Sequence, residues 1–234
     1  MQIRAAATAR ISLDAVSLSS MRFADRVQAG QALALRLRHY ADRADVVVLG
    51  IPRGGAPVAA EVAAALRAPW DVFLSRKLGV PGQEELAFGA VAGGGVRVLD
   101  QETIQQVGLS PETIEEVTRR QRRELERREQ AFRAGRAPLE VEGKIAILVD
   151  DGIATGASMR AAVEALRARR PARIVVAVPV APLDVRARMA PPADEFVCVH
   201  AAEGFAAVGE FYQDFAQVGD EQVQALLASA PRAA

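Results

Sequence analysis

Two continuous apolar runs, Val46-Val-Val-Leu-Gly-Ile51 and Ile145-Ala-Ile-Leu-Val149, constrain this chain most. Neither alternates with polar residues, so each reads as a strand covered on both faces. Further strands are predicted over Trp70–Leu74, Val96–Leu99, Arg173–Pro179 and Glu195–Val199. Helical spacing predicts helices over Phe23–Ala41, Ala56–Leu66, Gln101–Val107, Leu183–Met189 and Asp220–Ala228. Two more are expected from Ser110 to about Ala134 and from Ala157 to about Arg169. Strands alternating with helices give an α/β fold, a doubly wound and mainly parallel sheet of Rossmann-like form. Residues 76–90, rich in glycine and charge, predict a long mobile loop.

Composition narrows the function classes. The 29 basic and 29 acidic residues cancel, which argues against a globally basic nucleic-acid binder. A single cysteine, Cys198, excludes an intrachain disulfide and a cysteine metal cluster. His39 and His200 are too isolated for a histidine metal site. No apolar run approaches the ~18 residues of a membrane span, so the expectation is a soluble cytoplasmic protein without a membrane partner. Only Lys77 and Lys144 among the basic residues are lysines. A compact ammonium does work that a guanidinium cannot copy in a tight site.

The stretch from Ile145 to Met159 carries chemistry. Its strand ends in two adjacent carboxylates, Asp150 and Asp151, followed by the small-residue loop Ala154-Thr155-Gly156-Ala157-Ser158 and a helix. Ligands of open α/β sheets collect beyond the carboxyl ends of the strands. A helix N-terminus offers free N–H groups to an anion, and two hydroxyls add donors. The loop therefore suits a phosphate. The carboxylates would repel that phosphate but can accept from sugar hydroxyls or approach a metal. No Gly-Lys-Ser/Thr and no Gly-x-Gly-x-x-Gly occurs here.

This segment closely resembles the phosphoribosyl diphosphate (PRPP) motif of type I phosphoribosyltransferases, an apolar strand, two acids and Thr-Gly-x-Ser/Thr. Ala157 replaces the usual second glycine, and Gly152 stands where a larger residue is common. Pro52-Arg53-Gly54-Gly55, after the other apolar run, resembles the family's pyrophosphate loop. The resemblance implies a cis peptide there, placed near Arg53-Gly54. Arg76 and Lys77 match the start of the family's flexible catalytic loop. With Glu85-Leu-Ala and the tail Phe211-Tyr-Gln-Asp-Phe215, the chain looks most like family members of undefined acceptor.

The resemblance implies transfer of a 5-phosphoribosyl group to a nitrogenous base, with release of pyrophosphate. It places the 5-phosphate on Ala154–Ser158 and the ribose hydroxyls on Asp150 and Asp151. Pyrophosphate falls to Pro52–Gly55, Arg76 and Lys77. Magnesium is the expected cofactor, carried mainly on PRPP oxygens near Asp150 and Asp151, since it dehydrates reluctantly. A hood over about residues 200–216 would select the acceptor, with Phe205, Phe211 and Tyr212 as stacking candidates; a core role for these aromatics stays open. A homo-oligomer, a dimer, is expected.

The domain is expected over residues 21–229, with a helical insertion over about 101–137. Residues 1–20 read as a disordered or non-native leader and 230–234 as a tail. The insertion's long helix is expected to carry Arg119, Arg120, Arg122, Arg123, Arg127, Arg128, Arg133 and Arg136 among interleaved acids. A solvated face, a subunit contact or a nucleic-acid face would each explain it. The last keeps a second reading open: a regulator that senses PRPP and binds nucleic acid or a protein partner without catalysis.

Overall fold

A computed structural model describes residues 22–185 and 193–230. The leader at 1–20, most of the Leu183–Met189 helix and the tail from 231 onward lie outside them.

In chain order come α1 (Arg26–Leu37), β1 (Val46–Gly50), α2 (Gly55–Leu66), β2 (Trp70–Val72), β3 (Ser75–Val80), β4 (Gln83–Ala92) and β5 (Val96–Leu99). Then follow α3 (Gln101–Val107), α4 (Pro111–Arg133), β6 (Ile145–Val149), α5 (Ala157–Arg167), β7 (Arg173–Pro182), β8 (Glu195–Ala202) and α6 (Asp220–Ala228). The main sheet has five strands, in order β2-β1-β6-β7-β8, and every pairing in it is parallel. This is the doubly wound α/β sheet that the apolar runs predict.

The period-two geometry of strands sorts their side chains into two cores. Val46, Val48, Ile145, Ile147 and Val149 face the layer containing α1, α2 and α6. Val47, Leu49, Ala146 and Leu148 face the layer containing α5. Both strands are buried at every position, as runs without polar residues require.

Residues 76–90 are not a loop. They form most of a β3–β4 hairpin, which β5 extends into a separate three-stranded antiparallel sheet. Leu78, Val80, Phe88 and Val91 pack with Val117 of α4 into a third core. The glycines and charges that suggested mobility sit largely at the exposed tip, while the apolar residues alternate on one face.

The long helix starts as its sequence predicts. Ser110 caps it by accepting from the Thr113 N–H, with Pro111 at the first position. Its far end is fixed by a buried ion cluster. Arg133 Nε lies 3.1 Å from Asp71 Oδ2, and Arg133 also donates to Glu129 Oε1 at 2.8 Å and to the Val72 carbonyl at 3.0 Å. The insertion is thereby bolted to β2 of the main sheet. Among the described residues, no helix is long and apolar enough to cross a membrane.

Candidate functional site

β1 and β6 are neighbours, and Gly50 pairs with Val149 at their carboxyl ends. The loops leaving them must therefore emerge side by side. They touch: a Cβ at Gly54 would lie 2.1 Å from Asp151 Oδ2, and one at Gly55 would lie 2.7 Å from the Val149 carbonyl oxygen and 2.8 Å from the Asp150 Cα. Only residues without a side chain allow this approach. Two segments about a hundred residues apart thus share one surface. The cis peptide is Pro52-Arg53, one bond earlier than the resemblance implied.

The carboxylates differ in their surroundings. Asp150 Oδ1 accepts from the Asp151 N–H at 2.9 Å. Burial, and then the Asp151 charge beside it, push Asp150 well above the usual carboxylate range. Burial also raises Asp151, against the pull of Arg26, whose Nε donates to Asp151 Oδ2 at 2.8 Å. Arg26 in turn donates to the Ala216 carbonyl at 2.8 Å and lies over the Phe215 ring, 4.0 Å from its centre. Tyr212 donates its hydroxyl to the Asp151 carbonyl at 2.5 Å.

Sequence reasoning missed Arg26. A signal existed, because a cation in the first turn of a helix opposes the macrodipole and calls for a compensating partner. Tyr212 was expected in the hood. It is instead 3% exposed, packs against Phe23 with ring centres 5.8 Å apart, and supports Asp151 from below. Its ring cannot stack on an acceptor.

The loop Ala154–Ser158 leads into α5 through Gly156, which has φ +82°. Ala154, Thr155, Ala157 and Ser158 are exposed, so first-turn N–H groups and two hydroxyls are open to an anion. Gly152 has a steric reason: a Cβ there would lie 2.5 Å from Val208 Cγ1 and 2.7 Å from Val180 Cγ2. A cleft of about 460 Å³ adjoins this loop, lined by Ala154, Thr155, Pro182, Asp184, Glu203 and Phe205 among others. Phe205 stacks on Phe211 with ring centres 4.9 Å apart, and both are half-buried.

Arg76 and Lys77 are not a pair of cations at the start of a loop. They are successive residues of β3, so their side chains leave opposite faces of the small sheet. Arg76 donates to Gln121 Oε1 of α4 at 2.6 Å, and Lys77 pairs with Glu85 across the hairpin at 3.0 Å. Among the described residues, no hydrogen bond or ion pair joins either to the two loops.

Asp150 and Asp151 are the only members of the predicted site that offer a cation carboxylate oxygens, and Asp151 Oδ2 is held by Arg26. No group of three or more candidate ligand side chains among the described residues could hold a metal alone. The donor set fits magnesium only as an ion whose remaining ligands come with a substrate.

The family model described as phosphoribosyl transferase domain matches residues 23–208, a span that contains both loops and both carboxylates. The chain belongs to this family. It is 49% identical over 210 residues to "Putative phosphoribosyl transferase Rv0571c" of Mycobacterium tuberculosis H37Rv and equally to its counterpart in strain CDC 1551. Those matches cover 90% of this chain and 47% of the relatives, so the chain spans about half the length of the curated relatives it matches. The crystal structure of TT1426 from Thermus thermophilus is similar at 43% identity and TM-score 0.81, covering 88% of this chain and 98% of that one. In this phosphoribosyl transferase domain the two loops lie side by side at the carboxyl ends of β1 and β6.

Proposed function

We propose that this chain transfers the 5-phosphoribosyl group of PRPP to a nitrogenous base and releases pyrophosphate. The observation that carries this reading is the contact of Gly54 and Gly55 with the Asp150-Asp151 pair. It supports the reading because a glycine loop and two carboxylates able to accept from ribose hydroxyls meet at the ends of neighbouring strands, with a helix start open to an anion a few residues further on.

Ala154–Ser158 hold the 5-phosphate through backbone N–H groups and the Thr155 and Ser158 hydroxyls. Asp150 and Asp151 accept from the two ribose hydroxyls. Arg26 and Tyr212 keep Asp151 from turning away and so act as positioning residues. The C1–O bond to the diphosphate breaks, and its electron pair leaves with pyrophosphate. The ring carbon gains oxocarbenium character, as in glycoside chemistry, and an acceptor nitrogen closes the new C1–N bond with loss of its proton. Magnesium, bound with the substrate and reached by Asp150, would neutralise charge on the leaving group. The chain's own contribution is orientation and exclusion of water. The cleft beside Thr155 and Phe205 is the place for the acceptor, where an aromatic wall suits a planar base.

Calorimetric titration of PRPP with magnesium tests the reading. Wild type is expected to bind in the micromolar range, about 8 kcal/mol, and Asp150→Asn/Asp151→Asn to lose most of that affinity. Pyrophosphate release in a screen of bases then identifies the acceptor. A folded wild type that ignores PRPP would end the proposal.

A further inference from the structure

The two edges of the main sheet are finished differently. β2 is three residues long, and groups around it are occupied: Arg133 donates to the Val72 carbonyl at 3.0 Å, and the Leu139 N–H donates to Asp71 Oδ2 at 3.2 Å. β8 runs for eight residues and pairs with β7 alone. Among the described residues, no backbone hydrogen bond reaches its other edge. An open edge of that length is a template for a further strand, and proteins ordinarily blunt it with charge, proline or shortness. The small sheet does so, with Arg76 and Lys77 in β3 and Arg97 in β5. In β8, Phe196 to Ala202 contain no lysine, arginine, acid or proline. Its one acid, Glu195, is already engaged by the Tyr40 hydroxyl and by Arg173 Nη2, each at 2.8 Å.

α1 packs beside this strand, and its Ala32 shares an apolar cluster with Val199. Leu35, one turn on, is 71% exposed. A bare leucine thus flanks the open edge. The two ends of β8 differ in charge. Where it begins, the end of α1 and the turn after it bring Arg36, Arg38 and His39, with His39 Nε2 3.9 Å from Glu195 Oε1. Where it ends, the chain runs into the exposed Glu203.

We propose that the free edge of β8 is the interface between two copies of this chain, paired antiparallel about a two-fold axis near Cys198 and Val199. The pairing joins two five-stranded sheets into one of ten strands. It sets each copy's Glu203 toward the other's basic end and keeps the two Glu195 side chains apart. Parallel pairing would bring like ends together, where like charges oppose each other. Two-fold closure consumes both open edges, so assembly stops at the dimer. The argument uses no PRPP chemistry and stands apart from the proposed activity.

Sedimentation equilibrium of the full chain tests this. Wild type is expected to be a dimer that dissociates on dilution. Ala201→Lys places a cation on the exposed part of the edge, twice per dimer, and should raise the dissociation constant about tenfold or more. Leu35→Glu should act in the same direction. Leu86→Glu alters an exposed leucine of the other sheet and should leave the dimer unchanged. Hydrogen exchange locates the contact: β8 amides should slow as protein concentration rises, and β2 amides should not. A monomer at every concentration overturns the proposal, whether water or residues 1–21 occupy the edge. So does a dimer that ignores both edge variants, that is weakened as much by Leu86→Glu, or that gains its protection elsewhere. Thermal melts establish that the variants fold; should Ala201→Lys not fold, Leu35→Glu on the exposed helix flank must show the weakening.

Discussion

Arg26 and Asp151, 125 residues apart in the chain, meet at 2.8 Å with side chains only 12% and 14% exposed. A pair this sheltered costs more to break than to leave unmade, because the surviving charge is stranded. Arg26→Met should destabilise the fold by about 3–5 kcal/mol, read as a lower urea midpoint. Adding Asp151→Asn removes the stranded charge and should recover much of that loss. If the double variant is as unstable as the sum of the singles, the pair is not what holds α1 to the site.

Asp150 makes the opposite prediction. Its folded-state pKa is raised, so the native state binds a proton that the unfolded chain has released. The contribution to stability is fully present below the unfolded carboxylate value and is lost as pH rises through the folded one. At neutral pH Asp150→Asn should therefore raise the melting temperature while weakening PRPP binding. Wild-type PRPP affinity should rise as pH rises through the raised Asp150 pKa, because Asp150 then loses the proton that competes with ribose and magnesium. A variant that melts lower than wild type at pH 7 would contradict this account.

Gly54→Ala would put a methyl group 2.1 Å from Asp151 Oδ2. The carboxylate must swing off Arg26, at a cost of about 1–3 kcal/mol, and PRPP binding should disappear with it. Gly54→Ala/Asp151→Ala/Arg26→Met relieves the clash without stranding a buried charge and should melt higher than Gly54→Ala alone, still without binding PRPP. Thermal melts of the two variants side by side decide it.

Gly152→Ala meets Val180 and Val208 at 2.5–2.7 Å. Overpacking of this kind costs about 1–3 kcal/mol. Trimming one of the two obstacles with Val208→Ala should recover part of the stability lost in Gly152→Ala, while Val180 at 2.7 Å keeps the rest from returning. Denaturant titration of both variants checks the partial recovery.

The centre of the main sheet was legible because β1 and β6, buried on both faces, have no polar residue in their sequence. The Asp150–Ser158 segment was legible because its chemistry is local: strand, acids, loop and helix follow one another directly. The hairpin was not, since half-exposed antiparallel strands keep charges such as Lys77 and Glu85 on their open face. Arg26 was invisible for a different reason. Its partner lies in another layer, and nothing but a misplaced charge at a helix start hints at it. Tyr212 carries the same lesson, for an aromatic near a ligand site reads alike whether it faces the ligand or braces the residue that does. Gly152 became intelligible only once Val180 and Val208 were seen to fill the space beside it.

The cluster of Arg133, Asp71 and Glu129 sits away from water, whereas Arg127, Arg128 and their partner Glu124 lie in it. Dissolved ions screen exposed charges over about 8 Å at physiological strength and reach buried ones far less. One helix thus holds two populations of arginine with different responses to salt. Raising the ionic strength should quiet its outer face, while the same helix stays locked to the sheet by the charges that salt cannot visit.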